Sequence, residues 1–300
     1  MRVEFAQALI KLKSEFPDLA FLTGDLGYMA LEKVQEAFGE HFINAGVAEQ
    51  NMVTVAAALA YEGFIPFAYS ISPFVTHRPF EQIRDDVCLH RLPVKLVGNG
   101  GGFGYGIMGA THHNIEDIAV MRVLPNMNVY VPFTGNDVEQ ALRIMIEDPN
   151  PNYLRLNLGA KVQQPVPPFA QWRKIKDGKK GVVIGTGPVL ENICNQPDEL
   201  IEDIAIWALS IFPVNEIPAP LIAEIASSAR LLTIEEHQGQ CGMHETLASL
   251  LLQQNIGPIR FEPLFAKGYI SGRYGDQKWH QAENGLGGEE LQHTFRRFFS

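Results

Sequence analysis

The sequence predicts an α/β chain of two domains built on parallel sheet, and three observations carry that expectation. Short apolar runs alternate with helical patterns along all 300 residues, the order that parallel strands with crossover helices require. A proline-rich segment without periodicity, Gln163-Gln164-Pro165-Val166-Pro167-Pro168, interrupts the alternation, and a polar, basic stretch over 174–180 follows it. The length suits one large or two medium domains, and 46% hydrophobic residues is ordinary for a globular chain. The expected boundaries are 1–162 for the first domain, 163–179 for a linker and 180–300 for the second.

The elements follow in order. Met1-Arg2-Val3-Glu4-Phe5 opens an amphipathic helix, and its early acids are unlike a signal peptide. Strands are expected over 19–23, 42–45, 94–98, 128–131 and 153–156. Near Pro79, Phe80, Ile83 and Val87 share a helical face while Glu81, Arg84, Asp85 and Asp86 turn outward. Asn136 and Glu139 stand in capping-box spacing ahead of a stripe of Val138, Ala141, Leu142 and Met145. Beyond the linker, strands are expected over 181–185, 204–209, 231–235 and 258–261, with helices over 218–228 and 243–254.

Charge and cysteine usage exclude several function classes. A net charge of -10 argues against nucleic acid or an anionic membrane as partner. Cys88, Cys194 and Cys241 lie far apart and make neither a metal spacing nor a disulfide framework, so a reducing compartment is the simplest inference. No run approaches 18 apolar residues, and no membrane span is expected. A soluble, cytoplasmic protein is the resulting expectation.

Three motifs carry chemistry. The first is Gly46-Val47-Ala48-Glu49-Gln50-Asn51-Met52, where an acid opens an apolar helix. Desolvation there favours a neutral carboxyl able to donate a hydrogen bond or a proton, which makes Glu49 a candidate for catalysis. The competing reading is a helix-terminal carboxylate that caps free amides. The second is the loop from Gly98 to Gly109, in which seven of twelve residues are glycine. It can bring backbone close to a ligand, yet it is neither a Walker loop nor a dinucleotide fingerprint. It ends in Thr111-His112-His113-Asn114 before a helix over 115–121, and one histidine, taken as His112, is expected to face a site as a proton shuttle. The competing reading is a cap of hydrogen-bonded imidazoles. The third is the segment Phe67 to Arg78, whose aromatics suit either core or a platform for a planar heterocycle.

These motifs, with Leu124-Pro125-Asn126-Met127-Asn128-Val129, resemble the pyrimidine-binding half of the transketolase family in order and spacing. Thr233-Ile234-Glu235-Glu236-His237 through Gly242 resembles that family's C-terminal domain, so the likeness covers nearly the whole chain. It implies a doubly wound parallel sheet of the thiamine-diphosphate pyrimidine-binding type, followed by a smaller α/β transketolase C-terminal domain. It also implies a thiamine-diphosphate-dependent transferase that moves a two-carbon ketol unit from a ketose to an aldehyde. Glu49 would then hydrogen-bond N1′ of the aminopyrimidine and activate it. Phe74, Ile71 and Arg78 would lie at the cofactor, and His112, Arg155, Arg2, Asn99 and Met108 at the substrate. His113 and Tyr69 are also near the site, without assigned roles.

The family holds the diphosphate and Mg2+ with a Gly-Asp-Gly motif leading to an Asn, and neither Gly24-Asp25-Leu26 nor Gly275-Asp276-Gln277 satisfies it. The resemblance therefore implies that this chain supplies no metal ligand. A partner chain, the N-terminal diphosphate-binding subunit, would bind Mg2+ and share the thiamine diphosphate in an α2β2 assembly. Transketolases have an acid where Met108 stands, a histidine where Gly100 stands and an aromatic where Ile71 stands. Those departures put a standard pentose-phosphate exchange in doubt and leave a modified or shorter ketol donor, or an unusual acceptor, as the expectation. Two alternatives share the fold: a β subunit of a 2-oxo acid dehydrogenase, and a non-catalytic regulatory subunit.

Overall fold

The computed structural model describes residues 1–26, 31–257 and 259–300. Strands β1 Leu19–Thr23, β2 Phe42–Asn44, β3 Ile65–Ile71, β4 Lys95–Asn99, β5 Asn128–Tyr130 and β6 Asn152–Leu156 come from the first half of the chain. They are followed by β7 Trp172–Lys176, β8 Gly181–Thr186, β9 Ile204–Leu209, β10 Ile211–Phe212, β11 Arg230–Gln238 and β12 Arg260–Ala266. The first sheet has the order β10-β5-β6-β4-β3-β1-β2 and the second β12-β11-β8-β9-β7. Pairing is parallel throughout except for the edge strands β10 and β7.

The first sheet is doubly wound because its strands bury both faces. In β3, Phe67 and Tyr69 point to one side, where they meet the helices Arg2–Glu15, Glu32–Phe38 and Asp137–Glu147. Ala68 points to the other, against the helix Glu49–Tyr61 and the π-helical stretch Ile83–Cys88. Strand β1 lies between β2 and β3, so the chain reverses its direction of travel across the sheet there. Crevices at such reversals, outside the carboxyl ends of parallel strands, are where open α/β sheets bind ligands.

Several elements differ from the sequence expectation. The aromatic-rich stretch after Phe64 is a central strand, and Tyr69 stacks on Phe5 at 5.7 Å between centroids instead of forming a platform. Trp172–Lys176, inside the segment expected to be a linker, is an edge strand of the second sheet. Its basic side chains are consumed by contacts: Arg173 pairs with Asp137 at 2.7 Å, and Lys174 pairs with Glu224 at 2.6 Å. The helix Asp137–Glu147 has no side-chain cap from Asn136; Asp137 instead turns back to accept from the amides of Phe133 and Thr134. Pro258 of the expected strand over 258–261 lies outside the described residues, and β12 extends that strand to Ala266. Helices Gln277–Glu283 and Gly288–Phe299 complete the second domain.

Candidate active site

All three motifs emerge at the carboxyl edge of the first sheet. The chain leaves β2 and enters the helix Glu49–Tyr61, leaves β3 into the short helix Ser72–Thr76, and leaves β4 into the glycine loop. Parallel pairing of β2, β1, β3 and β4 brings these exits to one edge.

Glu49 is 4% exposed and does not cap its helix. Nor is it the isolated acid that the apolar sequence around it suggests. Arg78 Nη1 donates to both carboxylate oxygens, at 3.0 and 2.9 Å, and Ser70 Oγ donates at 3.4 Å. The correction has a simple cause: Arg78 lies 29 residues on, so no local pattern reveals the pair. The same guanidinium lies flat against Phe74, with Cζ 3.6 Å from the ring centroid. Glu49 and Phe74 are thus joined by one planar, nitrogen-bearing group, which bonds the acid and lies over the ring.

The His112 ring is 5.3 Å from that of Phe74 and 5.8 Å from that of Tyr105. Thr111 Oγ1 lies 2.9 Å from its Nδ1. Tyr105, which sequence reasoning passed over, accepts from Asn99 Nδ2 at 2.9 Å. Gly100 is what lets it pack: φ is +75°, and a Cβ would meet the Tyr105 ring at 2.2 Å. Asn99, Gly100, Tyr105 and the exposed Arg2 line a cavity of about 1180 Å³ that extends to Lys161, Gln277 and Lys278. Ile71 ends β3 and is buried beside this edge. Met108 is exposed on the turn Gly106–Met108.

The two histidines face apart. His113 is buried: Nε2 donates to the Gly106 carbonyl at 2.7 Å, and Nδ1 accepts from the Tyr269 hydroxyl at 3.1 Å. Burial pulls its pKa down to about 4, against the raising effect of the Gly106 carbonyl. His112 is the one left on the side of Phe74.

Arg155 does not reach the site. It is 2% exposed, its Nε donates to both oxygens of the fully buried Asp117 at 3.0 and 2.8 Å, and its Nη2 donates to the carbonyls of Asn114 and Glu236. The substrate role expected for it is therefore replaced by an internal one. Asp117 also accepts from Tyr153 and Ser72, and Asn114 Nδ2 donates to Ser72 and Thr76 at 2.9 Å. This buried network ties the helix carrying Phe74 to the loop carrying His112. A second buried carboxylate joins the glycine loop to the second domain. Glu236 accepts from the Phe103 amide at 2.7 Å, from Gln277 at 3.0 Å and from Gln281. Burial pushes its carboxyl above the ordinary range while those donors pull it down.

Among the described residues, no cluster of three His, Cys, Asp or Glu side chains is arranged to hold a metal, and no helix is long and apolar enough to cross a membrane. All three cysteines are free.

The model of the transketolase pyrimidine binding domain matches residues 1–160. One of the subunits of apulose-4-phosphate transketolase from Phocaeicola vulgatus is 27% identical over 86% of this chain and 85% of its own length. A putative transketolase C-terminal section of Methanocaldococcus jannaschii is 30% identical over 85% of this chain and 83% of its own. A solved structure described as a split gene transketolase, inactive beta4 tetramer, superposes with a TM-score of 0.82 at 26% identity, covering 99% of this chain and 96% of that one. With its fold, its carboxyl-edge site and these relatives in agreement, the chain belongs to the transketolase family.

Proposed function

We propose that this chain is the C-terminal subunit of a split, thiamine-diphosphate-dependent ketol transferase. One observation carries the reading: a buried carboxylate, Glu49, and an aromatic ring, Phe74, both contact one planar group, the Arg78 guanidinium. An acid and a ring so placed fit an aminopyrimidine, which offers a flat face to the ring and an acceptor nitrogen to a protonated carboxyl. When bound, thiamine diphosphate supplies the electron sink that lets a carbon–carbon bond beside a carbonyl break and re-form.

The chain's own residues have these roles. Glu49 holds a proton against N1′, Phe74 packs on the pyrimidine face, and buried Ile71 limits the space behind it. His112, beside Phe74, holds a substrate oxygen and moves a proton to or from it. Asn99 and Arg2 line the adjoining cavity, whose mixed polar lining of Lys161, Lys278, Glu4 and Asp276 suits a hydroxylated sugar. Met108 supplies an apolar contact in place of an acid. The diphosphate and Mg2+ belong to a partner subunit, and the assembly is α2β2. The relatives, one named as a single subunit of its enzyme and the other as a C-terminal section, support a divided enzyme.

The test is Glu49→Gln in the complex reconstituted with the diphosphate-binding subunit. Turnover is expected to fall about 10²–10⁴-fold, the range for loss of a positioned acid–base group, with assembly intact. Near-normal turnover by the assembled variant refutes the assignment.

A further inference from the structure

We propose that the Arg78 guanidinium is a placeholder for the aminopyrimidine, filling the slot between Glu49 and Phe74 in the free chain and leaving it when the ring enters. This rests on the cofactor reading above and deepens it, because it makes the site self-closing. The family resemblance sets Arg78 at the cofactor; the structure gives its partners as the two residues meant to receive that cofactor.

Three observations support the exchange. First, the guanidinium engages the same two side chains as the ring would, although it donates to Glu49 where the ring nitrogen accepts from it. It stacks on Phe74 at 3.6 Å and donates to both oxygens of Glu49. A ring cannot occupy the same place at the same time. Second, burial is lopsided: the Glu49 side chain is 4% exposed, whereas that of Arg78 is 44% exposed. The carboxylate is fixed in the fold, and the arginine reaches it from solvent, so it can swing away without repacking any core. Third, the pairing is displaceable. Among the described residues Nη1 alone bonds Glu49, which falls short of the two-nitrogen fork that makes arginine–carboxylate pairs strong.

Elementary electrostatics explains why the slot is filled at all. A carboxylate this buried is costly without a partner. Arg78 supplies one while the subunit is alone; the incoming ring replaces the stack, and Glu49, protonated from solvent once the cation leaves, donates to the ring nitrogen. The consequence is a lowered affinity of the free chain, since only the fraction with Arg78 swung out is competent to bind.

The experiment uses the full chain with two probes. Acetamidinium, a planar cation with N–H donors, is titrated calorimetrically into wild type, Arg78→Ala and Arg78→Ala/Glu49→Gln. The expected result is binding to Arg78→Ala alone. Thiamine diphosphate with Mg2+ is titrated into the same proteins, and Arg78→Ala is expected to bind at least about tenfold more tightly than wild type. Arg78→Gln, which keeps a short amide donor toward Glu49, substitutes if the alanine variant does not fold. Absence of acetamidinium binding overturns the placeholder whatever the cofactor does. Weaker binding of thiamine diphosphate by Arg78→Ala also overturns it, because Arg78 is then a ligand of the cofactor. Acetamidinium binding with no thiamine diphosphate binding to any variant, or to the reconstituted complex, refutes the cofactor reading and the ring as occupant, and leaves only the slot.

Discussion

Replacing His113 by glutamine is expected to remove a specific part of the acid sensitivity of this fold. An ordinary histidine titrates near 6.5, and His113 is held down to about 4 by burial, with the charges of His280 and His112 acting in the same direction. Above pH 6.5 the ring is neutral in both the folded and unfolded chain, and its contribution to stability is fully present. As pH falls, the unfolded chain takes up a proton that the folded chain refuses until about pH 4, so stability is lost across that window. The linkage gives a loss of about 2 kcal/mol by pH 5 and about 3 kcal/mol by pH 4. At the unfolding entropy typical of a chain this long, 2 kcal/mol corresponds to about 3 °C in melting temperature. Melting curves of wild type and His113→Gln at pH 7.5, 6, 5 and 4.5, followed by tryptophan fluorescence, measure it. The variant starts lower at pH 7.5, through the lost bonds to Gly106 and Tyr269, and the gap should close as pH falls. A gap that stays constant from pH 7.5 to 4.5, or an NMR titration of His113 near 6.5, refutes the reasoning.

Two further predictions concern the scaffold of the site. Arg155→Met strips Asp117 of its buried cation and should cost about 3–5 kcal/mol, or about 5–8 °C in melting temperature; a raised KM for substrate with unchanged stability would return Arg155 to substrate binding. Gly102→Ala places a Cβ 2.1 Å from Glu236 Oε1 at a φ of +64° and should lower the melting temperature by about 2–4 °C, and an unchanged melting curve would show that the loop relaxes freely.

Much of this was legible in the sequence because it is local. The alternation of strands and helices, the acid at the head of an apolar helix and the glycine loop all declare themselves within a dozen residues. The central strand Ile65–Ile71 did not, because its aromatics, Phe67 and Tyr69, share one core face and read equally well as a ligand platform. The edge strand Trp172–Lys176 was hidden by its basic residues, since Arg173 finds Asp137 36 residues away and Lys174 finds Glu224 50 residues away. The same blindness to long-range pairing misdirected Arg155, whose carboxylate partner stands 38 residues before it. It also concealed the ion pair at Glu49, which changes that residue from a solitary acid into half of a couple.

The knot of donors around Glu236 has a consequence for how the two halves of the subunit hold together. Phe103 belongs to the loop beside the site, while Gln277 and Gln281 belong to the far domain, and one carboxylate that water cannot reach fastens them. Prising the halves apart would break the Phe103 bond to that buried carboxyl while Gln277 and Gln281 stay with it. The glycine loop and the second half of the subunit are thereby coupled at one atom group, beside a cavity whose wall both halves share.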